Sequence, residues 1–264
     1  MVLPTPQGKT LGFILLSMAL ALPAAGWANA CSKEFGLATG HWEPYAYYNA
    51  RKQFTGIDAD MTRAIFKEAG CTLVELRSMP AIRNLSLFEL GEVDLMMGAS
   101  RTPARDKLAY FSVAYRDETV GLFALADDAA RFGNISSFAD YLTGPLSMLA
   151  PRAGWYGAQF ESQAPALQRD GRLSRFGDFE QGVRMLEAGR ASFILGDAAG
   201  IEHAAARVGV KVQPLPFWVL HAPVHLMFSR SSVTPADVQR IDAAIGRLKK
   251  RGVFEQIRRS YGGM

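Results

Sequence analysis

Residues 91–115 read GEVDLMMGASRTPARDKLAYFSVAY, and this stretch decides the predicted fold. Gly91 ends a helix predicted from Pro80, because glycine at the end of an apolar periodic run is a typical helix stop. Val93 to Met97 then has the composition of a short buried strand. Helix and strand patterns alternate on both sides of this stretch, which favours an α/β fold with parallel strands.

Apolar periodicity and the positions of glycine and proline divide the rest of the chain into further elements. Strands are predicted at 35–39, 73–76, 120–125, 146–150, 193–195, 212–217 and 224–228. Helices are predicted at 57–69, 80–90, 137–142, 154–163 (stopped before Pro165), 178–188, 198–207, 236–250 and 253–260. The two halves of this pattern are similar, which predicts two lobes joined by more than one crossing.

The N-terminal segment has the pattern of a secretory signal peptide. Lys9 precedes an apolar run over 11–22 that is short for a bilayer span, and Ala28-Asn29-Ala30 places cleavage before Cys31. Residues 1–30 are therefore expected to be removed and the mature protein to be periplasmic. The alternatives are an uncleaved anchor and a lipid anchor on Cys31, the latter disfavoured because a lipobox normally carries Leu where this chain has Ala28.

The sequence contains two cysteines, Cys31 and Cys71. Export to an oxidising compartment and an even count predict one disulfide between them, with two unpaired thiols as the alternative. There is no Cys-x-x-Cys motif, no pair of helical histidines, no phosphate loop and no dinucleotide fingerprint, so no metal site and no cofactor is predicted.

The charge balance of the mature chain points to no polyanionic partner. Removal of residues 1–30 takes away Lys9 and no acid, which leaves 28 basic and 25 acidic residues and a net charge of 28 − 25 = +3. No basic run with interleaved aromatic residues is present. The sequence therefore predicts no binding to nucleic acid or to a membrane surface.

Five short motifs occur in an order that resembles the family 3 extracellular solute-binding proteins of ABC importers. They are Trp42 to Tyr45, Gly56 to Asp60, Gly91 to Asp94, Thr102 to Arg105 and Phe111 to Tyr115. The resemblance covers nearly the whole mature chain and implies a two-lobed, type II periplasmic-binding-protein fold. Lobe one would comprise 31–122 and 222–264, and lobe two 123–221. The crossings near 122–126 and 218–223 would form the hinge.

The resemblance also implies which residues of lobe one hold a ligand. Arg105 would bind the carboxylate of an amino acid, because a planar guanidinium forms two parallel charge-assisted hydrogen bonds with it. Ser100 would assist Arg105, and the carbonyl of Gly98 would accept from the ligand ammonium. A surface ion pair of Arg105 with Asp106 or Glu118 is the alternative.

Three further residues of lobe one are ligand-binding candidates by the same resemblance. Tyr45 resembles the aromatic lid of the family, and Trp42 lies near it in the sequence. Arg83 belongs to a Pro-x-x-Arg motif found in some family members and would line the cleft. Its alternative is a solvated position on the helix surface.

In lobe two, Asp197 follows the predicted strand 193–195, at the strand end where ligands gather in open α/β sheets. The resemblance makes Asp197 the counter-charge of the ligand ammonium, whereas local sequence makes it the N-cap of helix 198–207, and both roles are compatible. Trp155 and Tyr156 occupy a loop whose backbone amides meet the carboxylate in the family. The usual Thr or Ser after glycine is absent from 152–156, which leaves this alignment open by a residue or two.

These features predict a binding protein and not an enzyme. The expected function is capture of a small zwitterion by hinge closure and its delivery to an ABC permease, by a monomer that performs no chemistry. A dehydratase of the cyclohexadienyl dehydratase kind is the alternative, with Glu43 as its general acid. A detached receptor sensor module is a third possibility, disfavoured because no transmembrane helix follows Met264.

Overall fold

The computed structural model describes residues 1–3 and 31–262. Residues 4–30 of the predicted signal peptide therefore lie outside the described residues. Within the described part of the chain, no helix is both long and apolar enough to cross a membrane.

Strands and helices alternate through most of the chain. The strands are β1 (Phe35–Leu37), β2 (Tyr47–Tyr48), β3 (Phe54–Thr55), β4 (Leu73–Glu75), β5 (Leu95–Ala99), β6 (Ala109–Phe111), β7 (Arg116–Leu125), β8 (Met148–Pro151), β9 (Leu173–Phe176), β10 (Phe193–Asp197) and β11 (Val212–Ser229). The helices are α1 (Ile57–Ala69), α2 (Ala81–Leu90), α3 (Pro103–Asp106), α4 (Phe138–Thr143), α5 (Ala158–Arg169), α6 (Phe179–Glu187), α7 (Ala198–Val208), α8 (Pro235–Lys250) and α9 (Val253–Ser260).

The main sheet has the strand order β4-β1-β5-β11-β7-β10-β8-β9, and β6 also pairs with β11. β1 runs parallel to β4 and β5, and β8 runs parallel to β9 and β10. β7 and β11 run antiparallel to each of their neighbours. This is the mixed, mostly parallel α/β sheet that the sequence predicts.

The two long antiparallel strands, β7 and β11, divide the molecule into two halves. The first half contains β1 to β6, α1 to α3, α8 and α9, and the second half contains β8 to β10 and α4 to α7. Each half has its own aromatic core: Phe35 packs edge-to-face on Phe66 in the first, with ring centroids 5.3 Å apart, and Phe193 packs on Phe132 in the second, at 4.6 Å. The buried apolar residues of the described chain thus form separate clusters in the two halves.

Local signals for helix ends are confirmed at several positions. Gly70 and Gly91 follow α1 and α2 in the left-handed region, with φ of 68° and 79°, where a residue with a Cβ would be strained. Thr234 caps α8 in a reciprocal capping box with Asp237. These boundaries are local because the capping groups come from the helix and its immediate neighbours.

The predicted break between strands 212–217 and 224–228 is wrong. β11 runs without interruption from Val212 to Ser229, first along β7 and then along β5 and β6. Pro214 and Pro223 lie inside it, and the pairing with β7 is irregular around Trp218. Next to Pro214, register shifts relieve the ladder where a donor is missing, whereas Pro223 lies opposite Asp117 in regular register.

The predicted stop of a helix before Pro165 is also wrong. α5 begins at Ala158 and continues through Pro165 to Arg169. Phe160, Ala164 and Leu167 form one buried stripe across the proline. Burial of that stripe outweighs the loss of one helical hydrogen bond.

The predicted disulfide between Cys31 and Cys71 is present. It joins the first residue of the described range 31–262 to the residue after the C-cap of α1, with the two Cα atoms 5.3 Å apart. The bridge closes a loop with a sequence separation of 40. A cross-link of this length removes conformational freedom mainly from the unfolded chain.

We predict that replacing both cysteines by serine lowers the free energy of unfolding by about 4 kcal/mol, because the unfolded chain regains loop entropy. Urea denaturation of the double variant and of the wild-type protein measures this. Wild-type protein with reductant is the control and should match the variant. A double variant as stable as the oxidised protein would contradict the prediction.

Candidate functional site

A group of buried polar side chains lies where the two halves meet. We call Tyr45, Asp58, Arg116, Glu118 and Asp197 the central cluster. Tyr45 lies in the loop after β1, Asp58 in the first turn of α1, and Asp197 at the end of β10. Arg116 and Glu118 lie on one face of β7, since successive strand residues point to opposite faces. Strand ends from both halves therefore converge on one site.

Asp58 and Arg116 form a buried two-pronged ion pair. Arg116 Nε donates to Asp58 Oδ1 at 2.6 Å and Nη2 donates to Oδ2 at 2.8 Å. The Arg116 and Asp58 side chains are only 8% and 4% exposed. Burial by itself lowers the pKa of Arg116, but the adjacent Asp58 carboxylate more than reverses this and raises it. Asp58 is therefore the charge partner that keeps the buried Arg116 guanidinium protonated.

Gly98 leaves room for this pair. Its φ is +61°, and a Cβ at this position would stand 3.0 Å from Asp58 Oδ2. Its amide donates to the hydroxyl of Tyr115 at 2.9 Å. Gly98 is thus needed because it lets the end of β5 approach the ion pair. Its other predicted role, acceptance of a hydrogen bond from a ligand ammonium by its carbonyl, remains a prediction.

Tyr45 connects the ion pair to the second half. The Arg116 guanidinium carbon lies 3.9 Å from the centroid of the Tyr45 ring, a close cation–π contact. The Tyr45 hydroxyl donates to Asp197 Oδ1 at 2.9 Å. Burial, followed by the neighbouring Asp197 charge, raises the pKa of Tyr45 well above its usual value. Tyr45 is therefore a neutral donor that bridges the halves.

Asp197 is the N-cap of α7, as the local sequence predicts. Its Oδ1 accepts from the amide of Gly200 at 2.9 Å as well as from Tyr45. The residue is 2% exposed, and burial raises the pKa of its carboxyl, partly opposed by Arg116. The second predicted role, as counter-charge for a ligand ammonium, remains a prediction.

Glu118 was not assigned a binding role by the sequence analysis. It is 3% exposed and accepts a long hydrogen bond from Ser100 Oγ, at 3.4 Å. Among the described residues, no basic side chain lies within 4.0 Å of its carboxylate. Burial, and next the charge of Asp197, raise the pKa of Glu118 to about 7. The sequence does contain one signal for Glu118. It lies two and four positions before the buried Val120 and Leu122, so all three side chains are on the same face of the strand.

Arg105 lies on α3 beside Ser100. Its Nη1 donates to the Ser100 carbonyl at 2.8 Å. The predicted alternative, an ion pair with Asp106 or Glu118, is not formed in the described residues, since Asp106 pairs with Arg101 at 2.7 Å. Burial lowers the pKa of Arg105, opposed by the charges of Glu118 and Glu161. Its half-buried guanidinium thus keeps donors free for a carboxylate.

The other predicted ligand residues are placed in three different surroundings. Trp42 packs toward the second half, 6.5 Å from Phe179 between ring centroids, and its buried Nε1 has no hydrogen-bond partner in the described chain.

The two aromatic candidates of the second half differ in burial. Trp155 is half-buried, whereas Tyr156 is buried in the core of the second half and its hydroxyl donates to Ala153 O at 2.9 Å. Arg83 is exposed on α2, and no hydrogen bond or ion pair in the described ranges joins it to the central cluster.

Glu43 contacts the second half through ion pairs. Its Oε2 lies 2.9 Å from Arg207 Nη1 and 3.5 Å from His203 Nε2. Arg207 Nε also reaches Glu180 at 2.6 Å. Glu43 therefore has basic partners, unlike the unpartnered general acid that the dehydratase hypothesis requires of it. Over residues 1–3 and 31–262, no three acidic, histidine or cysteine side chains are grouped so as to hold a metal ion.

Comparison with known proteins agrees with this architecture. Residues 37–264 match the family described as bacterial extracellular solute-binding proteins, family 3. A comparison with curated proteins finds no match.

Three solved structures illustrate the similarity of fold. A putative L-cystine ABC transporter protein from Listeria monocytogenes is 18% identical, with 88% of this chain and 96% of that chain covered and a TM-score of 0.70. An amino acid ABC transporter substrate-binding protein from Streptococcus pneumoniae, bound to L-arginine, is 20% identical, with coverages of 85% and 91% and a TM-score of 0.67. An ancestral amino acid-binding protein, described as a precursor of cyclohexadienyl dehydratase, is 20% identical, with coverages of 86% and 94% and a TM-score of 0.67.

We predict that Arg116→Met lowers the free energy of unfolding by about 3–5 kcal/mol, because Asp58 is left buried and unpaired. The double variant Arg116→Met with Asp58→Asn should regain much of this loss, since no isolated charge remains. Urea denaturation of the wild-type protein and the two variants measures both effects. A double variant no more stable than Arg116→Met would show that pairing does not explain the loss.

Glu118 should make stability depend on pH. The folded-state pKa of Glu118 is about 7. Between about pH 4.5 and pH 7 the carboxyl is therefore protonated in the folded protein but ionised in the unfolded chain. The free energy of unfolding consequently falls as pH rises through this range. We expect Glu118 to contribute about 3 kcal/mol to this loss, so the loss should be smaller by about that amount in Glu118→Gln, where the raised pKa of Asp197 still contributes. Urea denaturation at about pH 5 and about pH 8 measures it.

The matched control for this experiment is Asp117→Asn, which removes an exposed acid from the opposite face of β7. That variant should keep the wild-type pH dependence. An equal pH dependence in wild type and Glu118→Gln would contradict the assignment to Glu118.

Proposed function

The chain belongs to family 3 of the bacterial extracellular solute-binding proteins, and from this premise we propose that it captures an amino acid or a similar small zwitterion for an ABC permease. The observation that carries the proposal is that Arg105 and Asp197 both lie within electrostatic reach of the buried Glu118. Arg105 and Glu118 act on one another electrostatically, as do Glu118 and Asp197. A site that contains separated positive and negative groups complements a zwitterion.

Arg105 is the proposed carboxylate anchor. Its Nη1 is held by the Ser100 carbonyl, which limits the number of orientations that the guanidinium can adopt. The remaining donors can form two parallel hydrogen bonds with a carboxylate. Ser100 Oγ, 3.4 Å from Glu118, is the proposed additional donor beside it.

Asp197 is the proposed partner of the ligand ammonium. Both hydrogen bonds that the structure records on this carboxylate go to Oδ1, from Tyr45 and from Gly200. These bonds fix the side chain, and Oδ2 has no recorded hydrogen bond among the described residues, so we propose it as the oxygen that accepts from the ammonium. Gly98, Trp42, Trp155 and Tyr156 are proposed to line the same cleft, in accordance with the family resemblance.

Hinge closure is the proposed mechanism. We assign lobe one to 31–122 and 222–264 and lobe two to 123–221, with β7 and β11 as the crossings. The bond from Tyr45 to Asp197 and the ion pair from Glu43 to Arg207 both join the two lobes and would break on opening. A ligand that contacts both lobes would shift the population toward the closed form.

The family description places such proteins outside the cytoplasm, and we propose that this one is a periplasmic monomer. Its disulfide is consistent with an oxidising compartment. The Cys31 sulfur is joined to Cys71, so in this state it is not available for the thioether of a lipid anchor.

The relatives support an amino-acid ligand and also keep the enzyme alternative in view. One similar structure carries L-arginine and another is described as an L-cystine transporter protein. The ancestral structure described as a dehydratase precursor is itself an amino acid-binding protein. Because Glu43 has two basic partners, we favour binding without chemistry. Recovery of an unaltered ligand, checked by mass spectrometry, distinguishes the two functions.

A thermal-shift screen of amino acids, amines and opines should identify the ligand, since tight ligands raise stability by mass action. We predict that Arg105→Ala then lowers the affinity by on the order of 3 kcal/mol or more, because the ligand carboxylate loses its charged partner. Asp197→Asn should lower the affinity for ligands with an ammonium group but not the affinity for simple carboxylates, because Asn preserves the N-cap and removes the charge. Isothermal titration calorimetry measures both.

The control for Arg105→Ala is Arg101→Ala, which removes a neighbouring exposed arginine that pairs with Asp106. That variant should bind normally. Unchanged affinity in Arg105→Ala would refute the amino-acid function and leave only the fold.

A further inference from the structure

We propose that Glu118 is a second anionic subsite, which makes the ligand a cationic amino acid or a close analogue with two cationic groups and one carboxylate. The inference rests on the proposed function, because it assigns a further contact within the same site. It concerns a residue on the crossing strand β7, outside the family motifs from which the other site residues were predicted.

The charges of the site lead to this ligand class. Asp58 and Arg116 neutralise one another through two short hydrogen bonds. Among the buried and half-buried groups, Glu118, Asp197 and Arg105 remain, with two negative charges and one positive charge when all are ionised; Glu161 also acts on Arg105 but is exposed to solvent. A neutral zwitterion supplies one carboxylate and one ammonium, so one of the two acids would stay buried without a counter-charge. A ligand with a second cationic group pairs with all three.

Of the two acids, Glu118 has the weaker hydrogen bonding in the described part of the chain. Asp197 accepts two hydrogen bonds at 2.9 Å, whereas the Ser100 hydroxyl lies 3.4 Å from Glu118. Buried carboxylates are ordinarily paired or well hydrogen-bonded, because isolated burial of the charge is costly. An ammonium or guanidinium group of a ligand would provide the missing donors.

The surroundings of Glu118 place it among the proposed ligand contacts. The groups that act on it or respond to it are Asp58 on α1, Ser100 after β5, Arg105 on α3, Arg116 on β7, Tyr156 before α5 and Asp197 on β10. Arg116 is already committed to Asp58. The site therefore contains both the carboxylate anchor and a nearby acid in need of a cation.

Proton release should accompany binding of such a ligand. Unliganded Glu118 is about half protonated near pH 7, since its pKa is raised to about 7. A ligand cation favours the ionised form, so binding expels the proton when the solution is near or below this pH. Affinity should therefore rise with pH up to about 7 and level off above it.

The experiment uses the full mature protein and two matched ligand pairs, L-arginine with L-citrulline and L-lysine with L-norleucine. Each pair shares the α-ammonium and the carboxylate, and only the first member has a second charge. We expect the wild-type protein to prefer a cationic member by at least about 30-fold, and Glu118→Gln to lose that preference with little change toward the neutral partner. Asp117→Asn is the control and should keep it.

Calorimetry in buffers of different ionisation enthalpy counts protons in the wild-type protein, so the test does not depend on a variant that folds. We expect proton release on binding of a cationic ligand near pH 7, and clearly less release for Glu118→Gln, in which only Asp197 can contribute. Equal affinity for charged and neutral partners, or unchanged proton release in Glu118→Gln, would overturn the role of Glu118.

Failure of the general function gives a different result. If the neutral amino acids bind tightly and depend on Arg105, the solute-binding proposal stands and only the second subsite is wrong. If no zwitterion binds, or if binding does not depend on Arg105, the proposed function fails and the second subsite fails with it.

Discussion

The ion pair between Asp58 and Arg116 is the interaction around which the site is organised. It joins the first turn of α1 to the beginning of β7, and both side chains are almost completely removed from solvent. Desolvation of two charges is expensive, and it is offset here by two short hydrogen bonds and by the Tyr45 ring against the guanidinium. Gly98 is required beside the pair because a side chain there would approach Asp58. The positions of Tyr45 and of the β5 end therefore follow from this one contact.

The location of the pair on a crossing strand has consequences for the whole molecule. β7 pairs with β10 of the second half and with β11 along most of its length. Arg116 and Glu118 thus lie on a strand that both halves share, while Tyr45 and Asp197 come from opposite halves. In the proposed function, rotation of one half against the other would change the distance between Tyr45 and Asp197, whereas both members of the ion pair lie in the proposed lobe one. This arrangement is compatible with the proposed closure on a solute.

Electrostatic imbalance in the site is a cost for the unliganded fold. Glu118 and Asp197 are both buried acids with raised pKa values, and each contributes to raising the pKa of Tyr156. Such groups reduce stability when they ionise, and they are commonly found at functional sites for this reason. Burial of apolar side chains in the cores of the two halves offsets this loss of stability. In the proposed function, a ligand cation would relieve it, and binding would also stabilise the closed molecule.

Much of the fold could be predicted because its signals are local. The end of α1 at Gly70, the capping box at Thr234 and the buried strand before Asp197 depend on residues within a few positions of one another. The order of short motifs identified the family, and the cysteine count gave the disulfide. The same local rules failed at Pro165 and in β11, where packing and strand pairing outweighed the proline signal.

The site was only partly predictable. Motif and strand-end position made Arg105 and Asp197 binding candidates, whereas the sequence assigned no binding role to Arg116 or Glu118. Arg116 meets an acid 58 positions away, and Glu118 differs from other acids because it is buried with no basic side chain within 4.0 Å among residues 31–262. The sequence alone thus determined the elements and the family, and the tertiary structure decided which charges pair and which remain for a ligand, because that depends on distances between segments remote in the chain.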